Sequence, residues 1–514
     1  LFNAFFYKII GANLNVLYFI GGIFGLIYTI GVYLCSREFL SKSISLCISA
    51  LIIYSVIFDS SIFNFIFPYS YAIVFASTCA IWILYFLLKY VQTKNIKFIH
   101  YCMFLWGVIC VSKIEFIPVI LIILAVFYLY EKENKKEFLK SILYALIIPA
   151  ITYFVLFTQG LSISDLMKNS FYVKEMVKTQ SFDYFYSRYS VLSFSLKNFL
   201  INTKGLISTF FVSALYFYLT LFAIRKRKKL LKYSLITVMV IFCYVVFFMQ
   251  ETIPQMIFAT LPYICAVALI IYLIKFLQIK DYKNNKYTRK LVLLSFALIC
   301  SIKNFHALLL GFYGSYSFAP LLICLTLFIK EYLSNNALYN TKKQYEGVLC
   351  AYLIILALVF ANQLTISLLI KNVNLKSSFG LIKAPVTLVQ PFKEALEYLN
   401  LHAENQKSLL VMPEGIMLNF LSGKEHEFYQ TSFIPLDFDT FKEDNIINEI
   451  KLKKPQFIAF TNRETDEYGQ NYICKDYGVK TCKYVVKNYS LEAVFGEKFR
   501  IYLFKNKELE DEKE

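Results

Sequence analysis

Apolar residues run along this chain in blocks of roughly 20, the length that crosses a bilayer as a helix. Twelve such blocks are predicted as spans: 14–35, 42–58, 70–91, 97–112, 116–131, 141–158, 206–224, 233–250, 254–278, 289–303, 306–329 and 346–370. Past residue 370 the pattern changes. "QPFKEALEYLNLHA" has helical periodicity, while "SLLVMP", "QFIAFTN", "CKYVVKNYS" and "FRIYLFKN" read as strands by their β-branched and aromatic content. Helix alternating with strand predicts a small α/β domain over 371–514, following an all-α polytopic membrane domain over 1–370. No internal repeat is found, and the terminal "KELEDEKE" reads as disordered.

Composition agrees with this division. The chain is 58% hydrophobic with a mean hydropathy of +0.54, which a soluble protein could hide only in an unusually large core. Charge is unevenly placed. Residues 1–370 carry 33 Lys/Arg against 13 Asp/Glu, and residues 371–514 carry 20 against 22. The overall net charge of +18 is therefore a membrane-flank signature and not a nucleic-acid footprint. Alternating the sides of the spans puts 24 basic residues on one face and 9 on the other. Positive charge stays cytoplasmic. Residues 1–13, the loops 59–69 and 159–205, the turns at 112–116 and near 251 and 304, and the 371–514 domain are thus expected on the outer face of a bacterial inner membrane. Ten of the 12 cysteines lie in or beside spans as apolar filler. Cys474 and Cys482 lie in the outward domain, where an oxidising compartment permits a disulfide; spacing alone leaves their pairing open.

Motifs of soluble catalysis are missing from the sequence. It has no phosphate-binding glycine loop, no HExxH and no Ser-His-Asp signature, and His100, His306, His402 and His426 show no metal-ligand spacing. No cofactor is called for; a divalent metal is compatible with the chemistry below but nothing indicates one. Gly21 and Gly25, in "GGIFG", stand at the spacing of close helix packing.

The stretch "VSKIEFIPV" is more informative. Lys113 and Glu115 interrupt a long apolar run, with no other charge within about 15 residues on either side. A charge in hydrocarbon costs about 2.5–3.5 kcal/mol even on the lenient insertion scale. The pair is expected in an outward hairpin turn between two short spans, lining a cavity. Other outward acids are Asp59, Asp165, Glu175, Asp183 and Glu251; outward bases near span ends are Lys8, Lys113 and Lys303, with His306 nearby. Carboxylates supply general-base capacity and cations neutralise phosphate. Each also has a plain structural reading. Lys113 and Glu115 can pair with each other, Asp59 can cap a helix, and Glu251 can cap before Pro254. Lys303 and His306 can sit at the interface. Asp165, Glu175 and Asp183 read mostly as solvated surface, and Tyr69, Tyr71, Tyr313 and Tyr316 as an aromatic belt.

"LFNAFFYKIIGANLNVLYFIGGIFGLIYTIGVYLCSREF" resembles the juxtamembrane helix and following span of GT-C glycosyltransferases, in particular the dolichyl-phosphate-mannose–protein mannosyltransferase and aminoarabinose-transferase-like group. "IFPYSYAIVFA" and "VSKIEFIPV" look like later outward turns of its bacterial members. "VMPEGIMLNFLSG", "YQTSFIPLDF", "KPQFIAFTNRETDEYG" and "KDYG" resemble its soluble C-terminal domain. The likeness covers nearly the whole chain as pattern and layout. It implies 13 spans in the complete protein, one of them before Leu1, together with a catalytic acid in the first outward loop upstream of Leu1; Asp59 and Glu115 are the weaker candidates within the chain. It further implies inverting transfer of a sugar from a polyprenyl-phosphate donor to a lipid, glycan or protein acceptor. Lys8, Lys113 and Lys303 are then expected at the phosphate. Glu115 and Glu251 would orient these lysines or touch the sugar, and His306 and Tyr313 would complete the binding wall. Membrane lipids are expected partners and nucleic acid is not.

Three rival readings remain at this level. A lipid-linked-sugar flippase would explain charges near the membrane without chemistry, although many transporter folds carry an internal repeat. A polysaccharide polymerase or ligase uses similar donors but usually has a large outward loop between spans. A non-catalytic GT-C-like subunit would dispense with the acid altogether.

Overall fold

A computed structural model of the chain describes residues 2–131, 135–186, 258–279, 285–335, 342–402 and 408–508, apart from 260, 307 and 309, with scattered positions between 187 and 257. It divides into two compact units. The first comprises Leu17–Gln159 and Arg188–Ile366, and the second Phe2–Val16, Gly160–Ser187 and Ser367–Glu514.

The helical part begins with α1 (Phe2–Ile10), followed by α2 (Leu14–Arg37), α3 (Lys42–Ile52), α4 (Tyr71–Thr93), α5 (Lys97–Cys110), α6 (Ile120–Glu131) and α7 (Lys135–Thr158). Further along come α8 (Ile163–Val177), α9 (Gln180–Tyr186), α10 (Leu261–Ile279), α11 (Asn285–Cys300), α12 (Phe318–Asn335) and α13 (Lys342–Ile370). Among the described residues, seven helices are long and apolar enough to cross a membrane, and the segments Lys42–Ile57 and Lys97–Cys110 are shorter apolar helices. The protein is an integral membrane protein.

Most predicted spans recur as helices within a few residues. The span 233–250 lies outside the described residues, and 206–224 is described only at scattered positions. The predicted span 306–329 differs. Its first half is not a long helix: 3-10 turns at Ile302–Asn304 and Tyr313–Ser317 precede α12. Two glycines, Gly311 and Gly314, interrupt "NFHALLLGFYGSYS". Gly311 has φ +75, in the left-handed region where a β-carbon is disfavoured.

Gly21 and Gly25 act in packing, as expected. A β-carbon on Gly21 would lie 2.4 Å from the carbonyl oxygens of Phe65 and Ile66, and one on Gly25 would lie 2.7 Å from Ile57 Cγ2. The bare face of α2 therefore lets the 58–70 loop run directly against it. Tyr71 Oη donates to Leu17 O (2.8 Å) and Ile66 O (3.0 Å), fastening the same loop. Tyr316 is 2% exposed and donates to Asn64 O. Tyr316 is buried and so is not a lipid-facing belt residue, while the half-buried Tyr71 spends its hydroxyl on the backbone carbonyls of Leu17 and Ile66.

In the second unit β1 (Val373–Ser377) and β2 (Gly380–Ala384) pair antiparallel, followed by α14 (Val386–His402). After β3 (Leu409–Met412) come α15 (Ile416–Ser422), α16 (Pro435–Phe441), α17 (Glu443–Lys453), β4 (Phe457–Thr461), α18 (Val479–Asn488), β5 (Tyr489–Phe495) and β6 (Ile501–Asn506). The four-stranded sheet has the order β3-β4-β6-β5, with β3 and β4 parallel and the other pairs antiparallel. β3 and β4 are buried on both faces and read as continuous apolar runs. Leu410, Met412, Ile458, Ile446, Ile450, Phe433 and Val485 form their core.

"CKYVVKNYS" is mostly helix, not strand: residues 479–488 form α18 and only Tyr489 and Ser490 enter β5. The β-branched pair Val485–Val486 masked a helical period, with Thr481, Cys482 and Val485 inward. The structure contains the Cys474–Cys482 disulfide, which ties α18 to the preceding turn. The segment 160–187 belongs to this unit. Ser181 Oγ donates to Asp439 Oδ2 (2.6 Å), and the Tyr172 ring lies 4.6 Å from that of Phe441. Asp165 closes a capping box with Ser162 at the start of α8, and Glu175 pairs with Lys178 at 2.7 Å.

Asp437 makes this unit sensitive to pH. Its carboxylate accepts from Ser432 Oγ (2.8 Å) and Ile434 N (3.1 Å) at the start of α16. Burial pushes the carboxyl up to about 6, those hydrogen bonds oppose the shift, and the neighbouring Glu414 adds to it. The folded unit thus holds a proton that the unfolded chain releases near pH 4, so this group's contribution falls as pH rises from about 4 to 6. The full penalty above pH 6 is roughly 3 kcal/mol at most. Asp437→Asn keeps an acceptor oxygen and removes the charge. The variant is expected to resist proteolysis of residues 408–508 better than the parent at pH 7.5, with the gain gone at pH 4. Equal resistance at both pH values would contradict this account.

Candidate functional site

α5 ends at Cys110, and a 3-10 turn, Ile114–Val119, leads into α6. Lys113 stands before that turn in extended backbone, and Glu115 lies in its first residues. α11 packs against this turn, and the chain leaving α11 brings in Lys303. Lys303 Nζ donates to Glu115 Oε1 at 2.8 Å, while Lys113 Nζ lies 3.6 Å from the same oxygen. The Lys303 and Glu115 side chains are 17% and 20% exposed, so the pair is shielded yet reachable. Lys303 Nζ also stands 3.8 Å from the centroid of the Tyr313 ring, a cation–π contact. Glu115 Oε2 is buried and accepts no hydrogen bond among the described residues. Two ammonium groups meet one carboxylate, which leaves a net charge of +1.

The 58–70 loop borders the same turn region. Phe63 packs on Phe312 (5.0 Å) and Tyr313 (4.9 Å), and Tyr69 meets Tyr313 edge-on. Asp59 accepts from Ser61 N at 2.6 Å. Its two carboxylate oxygens lie 3.7 and 3.8 Å from where a β-carbon on Gly311 would be. Gly311 thus serves both a left-handed turn and an acid at its flank. The structure therefore gathers Lys113, Glu115, Lys303 and Tyr313 from turns far apart in sequence, with Asp59 beside Gly311, two residues before Tyr313.

His306 is buried and bonded through Nδ1 to Tyr263 Oη at 2.5 Å. Its neighbours are thus Tyr263 and Phe305, which suits a structural tie between α10 and the turn after α11. Lys8 is exposed on α1, a helix without a buried residue, and belongs to the second unit. Glu251 lies outside the described residues. Groups of three or more His, Cys, Asp or Glu able to hold a metal are absent among the described residues.

Sequence reading missed the approach of Asp59 to Gly311, and it reached the pairing of Lys303 with Glu115 only through the family resemblance. Both join positions more than 180 residues apart, and only the isolated charges in apolar surroundings could have hinted at them. It also missed an ion-pair group at the other ends of the helices, formed by Glu38, Lys89, Arg289, Lys290 and Glu331. Those charges sit in loops that read simply as basic flanks.

Residues 1–158 match the model of the dolichyl-phosphate-mannose-protein mannosyltransferase family. No sequence match was found among curated proteins. Among solved structures the chain is similar to ArnT from Cupriavidus metallidurans in the apo state, at 11% identity and TM-score 0.41, over 98% of this chain and 86% of that one. The same protein bound to undecaprenyl phosphate gives 10% identity and TM-score 0.43, over 97% and 85%. The archaeal oligosaccharyltransferase AglB from Archaeoglobus fulgidus, in complex with an inhibitory peptide and a dolichol-phosphate, gives 10% and 0.43, over 87% of this chain and 58% of that one. The family match spans α1 to α7 and so includes Asp59, Lys113 and Glu115. Over residues 1–158 the chain is similar to the dolichyl-phosphate-mannose-protein mannosyltransferase family.

Proposed function

We propose that this chain is a membrane glycosyltransferase that moves a sugar from a polyprenyl-phosphate donor to an extracytoplasmic acceptor with inversion. The observation that carries the reading is the Lys113–Glu115–Lys303 group, charged +1 and shielded at the ends of spans, in a chain whose first part matches a lipid-phosphate-sugar-dependent family.

The chemistry follows from charge. A polyprenyl-phosphate sugar is a phosphodiester with one negative charge, and the departing polyprenyl phosphate bears up to two. A preset positive site binds the leaving group more strongly than the starting donor, which is the differential stabilisation catalysis requires. In this scheme Lys303 and Lys113 face the phosphate. Glu115 holds both lysines in place and is a positioning residue, while Tyr313 fixes Lys303 from the ring side. Inversion needs the acceptor oxygen to attack the anomeric carbon opposite the phosphate, with its proton passing to a carboxylate. Asp59 is the weaker candidate for that carboxylate within these residues. Lys8 and Glu251 are further candidates for the donor site, at the phosphate and the sugar respectively.

The test is transfer of labelled sugar from a polyprenyl-phosphate donor by purified protein in proteoliposomes. Donor-dependent labelling of an acceptor, with release of polyprenyl phosphate, supports the reading. Movement of intact donor across the bilayer without sugar release would replace it with a flippase.

Orientation has its own test. Alkaline phosphatase fused after residue 375 is expected to be active, and fused after residue 229 inactive, following the 24-to-9 basic asymmetry. The reverse pattern would put the whole outward group on the wrong face.

A further inference from the structure

A polar cavity of about 480 Å³ lies wholly within the second unit. Its walls are the 175–184 stretch of α8 and α9, the end of α16, and the 468–470 turn. That turn belongs to the chain leaving the carboxyl end of β4, and sites in sheets with parallel strands gather at such ends. The volume is in the range that takes a small ligand.

Three properties of the lining define that ligand. Among the described residues that line the cavity, only Gly469 lacks a polar side chain, so a lipid tail or an apolar peptide side chain finds no aliphatic wall. The charges are matched in number, with Glu175 and Asp439 against Lys178 and Lys442. A phosphate or nucleotide is recognised by a surplus of cation, which this lining does not supply. Finally, Gln180 and Gln470 bring planar amides, each both donor and acceptor, beside the rings of Tyr184 and Tyr468. Gln470 Oε1 is buried and accepts no hydrogen bond among the described residues. A buried acceptor left unmet is costly, and a ligand hydroxyl would satisfy it.

The walls are held by contacts within the unit. Asp439 Oδ2 accepts from Ser181 Oγ at 2.6 Å, and a carboxylate has about four acceptor positions, so this bond orients Asp439 without exhausting it. Lys442 Nζ donates to Asp439 O at 2.7 Å, and Lys178 Nζ to Glu175 Oε1 at 2.7 Å. Tyr468 stacks on Phe185, with centroids 5.1 Å apart and planes at 17°. A β-carbon on Gly469 would lie 3.2 Å from Tyr184 Cγ, so the glycine lets that ring rest against the turn. Fixed walls lower the ordering cost of binding.

We propose that this cavity binds a neutral saccharide unit. Sugar hydroxyls donate and accept at neighbouring positions, which suits Asp439 and Gln470, and the C–H face of the ring suits an aromatic wall such as Tyr184 and Tyr468. The proposal does not depend on the transferase reading, because it concerns binding by the second unit and needs no donor.

Saturation-transfer NMR of the full chain in phosphatidylcholine nanodiscs tests it, since a maltoside detergent would itself present a sugar. The probes are glucose, galactose, mannose, N-acetylglucosamine and maltose, with glycerol and glycerol phosphate as comparators. At least one of the sugars is expected to bind at millimolar concentration, independently of salt. Gln470→Leu is expected to weaken that binding by roughly fivefold or more, as loss of a hydrogen-bond partner implies. Asp439→Asn keeps an oxygen for Ser181 Oγ, and with it the placement of α9, and is expected to act in the same direction with an unchanged thermal midpoint. No binding by any of the sugars, equal binding of glycerol, or sugar binding unchanged in both variants would overturn the proposal. Glycerol phosphate binding in place of the sugars, and weakening with salt, would overturn the assignment of a neutral ligand.

Discussion

Lys303→Gln is expected to lower sugar transfer from a lipid-linked donor by tenfold or more, with membrane insertion unchanged. The reason is the short contact of Lys303 with Glu115 (2.8 Å) and its place over the Tyr313 ring. Glutamine removes one positive charge and takes the group from +1 to neutral, so nothing remains to favour the more negative leaving phosphate. Loss of a charged hydrogen-bond partner costs about 1.5–3 kcal/mol, and about 1.4 kcal/mol already gives tenfold. Lys303→Arg keeps the charge but changes the reach, and is expected to retain part of the activity. Lys113→Gln is expected to act in the same direction and less strongly, since Lys113 lies at 3.6 Å from the shared oxygen. Glu115→Gln leaves two lysines facing each other and should lower transfer through their placement. Because Glu115 and Lys303 act as a unit, the double variant is expected to cost less than the sum of the two single changes. Full transfer in Lys303→Gln and Glu115→Gln would return this turn to a plain interfacial ion pair.

The membrane domain was legible because hydrocarbon imposes one pattern on every span, and the charge asymmetry supplied an expected orientation. The turns were legible only where a charge stood alone. Lys113 and Glu115 announced themselves in an apolar run, but Lys303, which makes the shorter contact with Glu115, is 188 residues from it and no local rule connects the two. The predicted span 306–329 failed for a different reason. "ALLLGFYG" is apolar enough to pass for helix, yet Gly311 takes a left-handed conformation that ends any helix there. In the second unit, β3 and β4 were readable as short buried runs. α18 was not, because two adjacent valines outweighed a three-and-four spacing of inward residues that a longer window would have caught. The ion pairs around Glu38 were hidden by their setting, since a lysine that closes a buried pair and a lysine that merely flanks a span look alike in sequence.

Gly21→Ala is expected to destabilise the protein by several kcal/mol, while Gly22→Ala, one residue away, is expected to be neutral or slightly stabilising. The two glycines differ in what they face. A β-carbon on Gly22 meets nothing within 4 Å, and alanine there gains up to about 1 kcal/mol of helix propensity. A β-carbon on Gly21 falls 2.4 Å from two carbonyl oxygens, at Phe65 and Ile66, which are backbone and cannot rotate away. The loop has little room to retreat. Phe65 is fully buried and packs on Tyr28 at 4.8 Å and Tyr316 at 5.8 Å, and Ile66 O already accepts from Tyr71. Overpacking of this kind costs typically 1–3 kcal/mol, and strain on two carbonyls at once puts the change at the upper end or beyond. Gly25→Ala should fall between the two, because its clash is with a single side-chain methyl, Ile57 Cγ2, and not with backbone. The displaced loop carries Asp59 and Phe63, and Phe63 packs on Tyr313 beside Lys303. Transfer should therefore fall in Gly21→Ala even in the fraction that folds. Thermal midpoints of the three variants in detergent, with transfer normalised to folded protein, check the order. Equal midpoints for Gly21→Ala and Gly22→Ala would mean that the loop does not lie against α2.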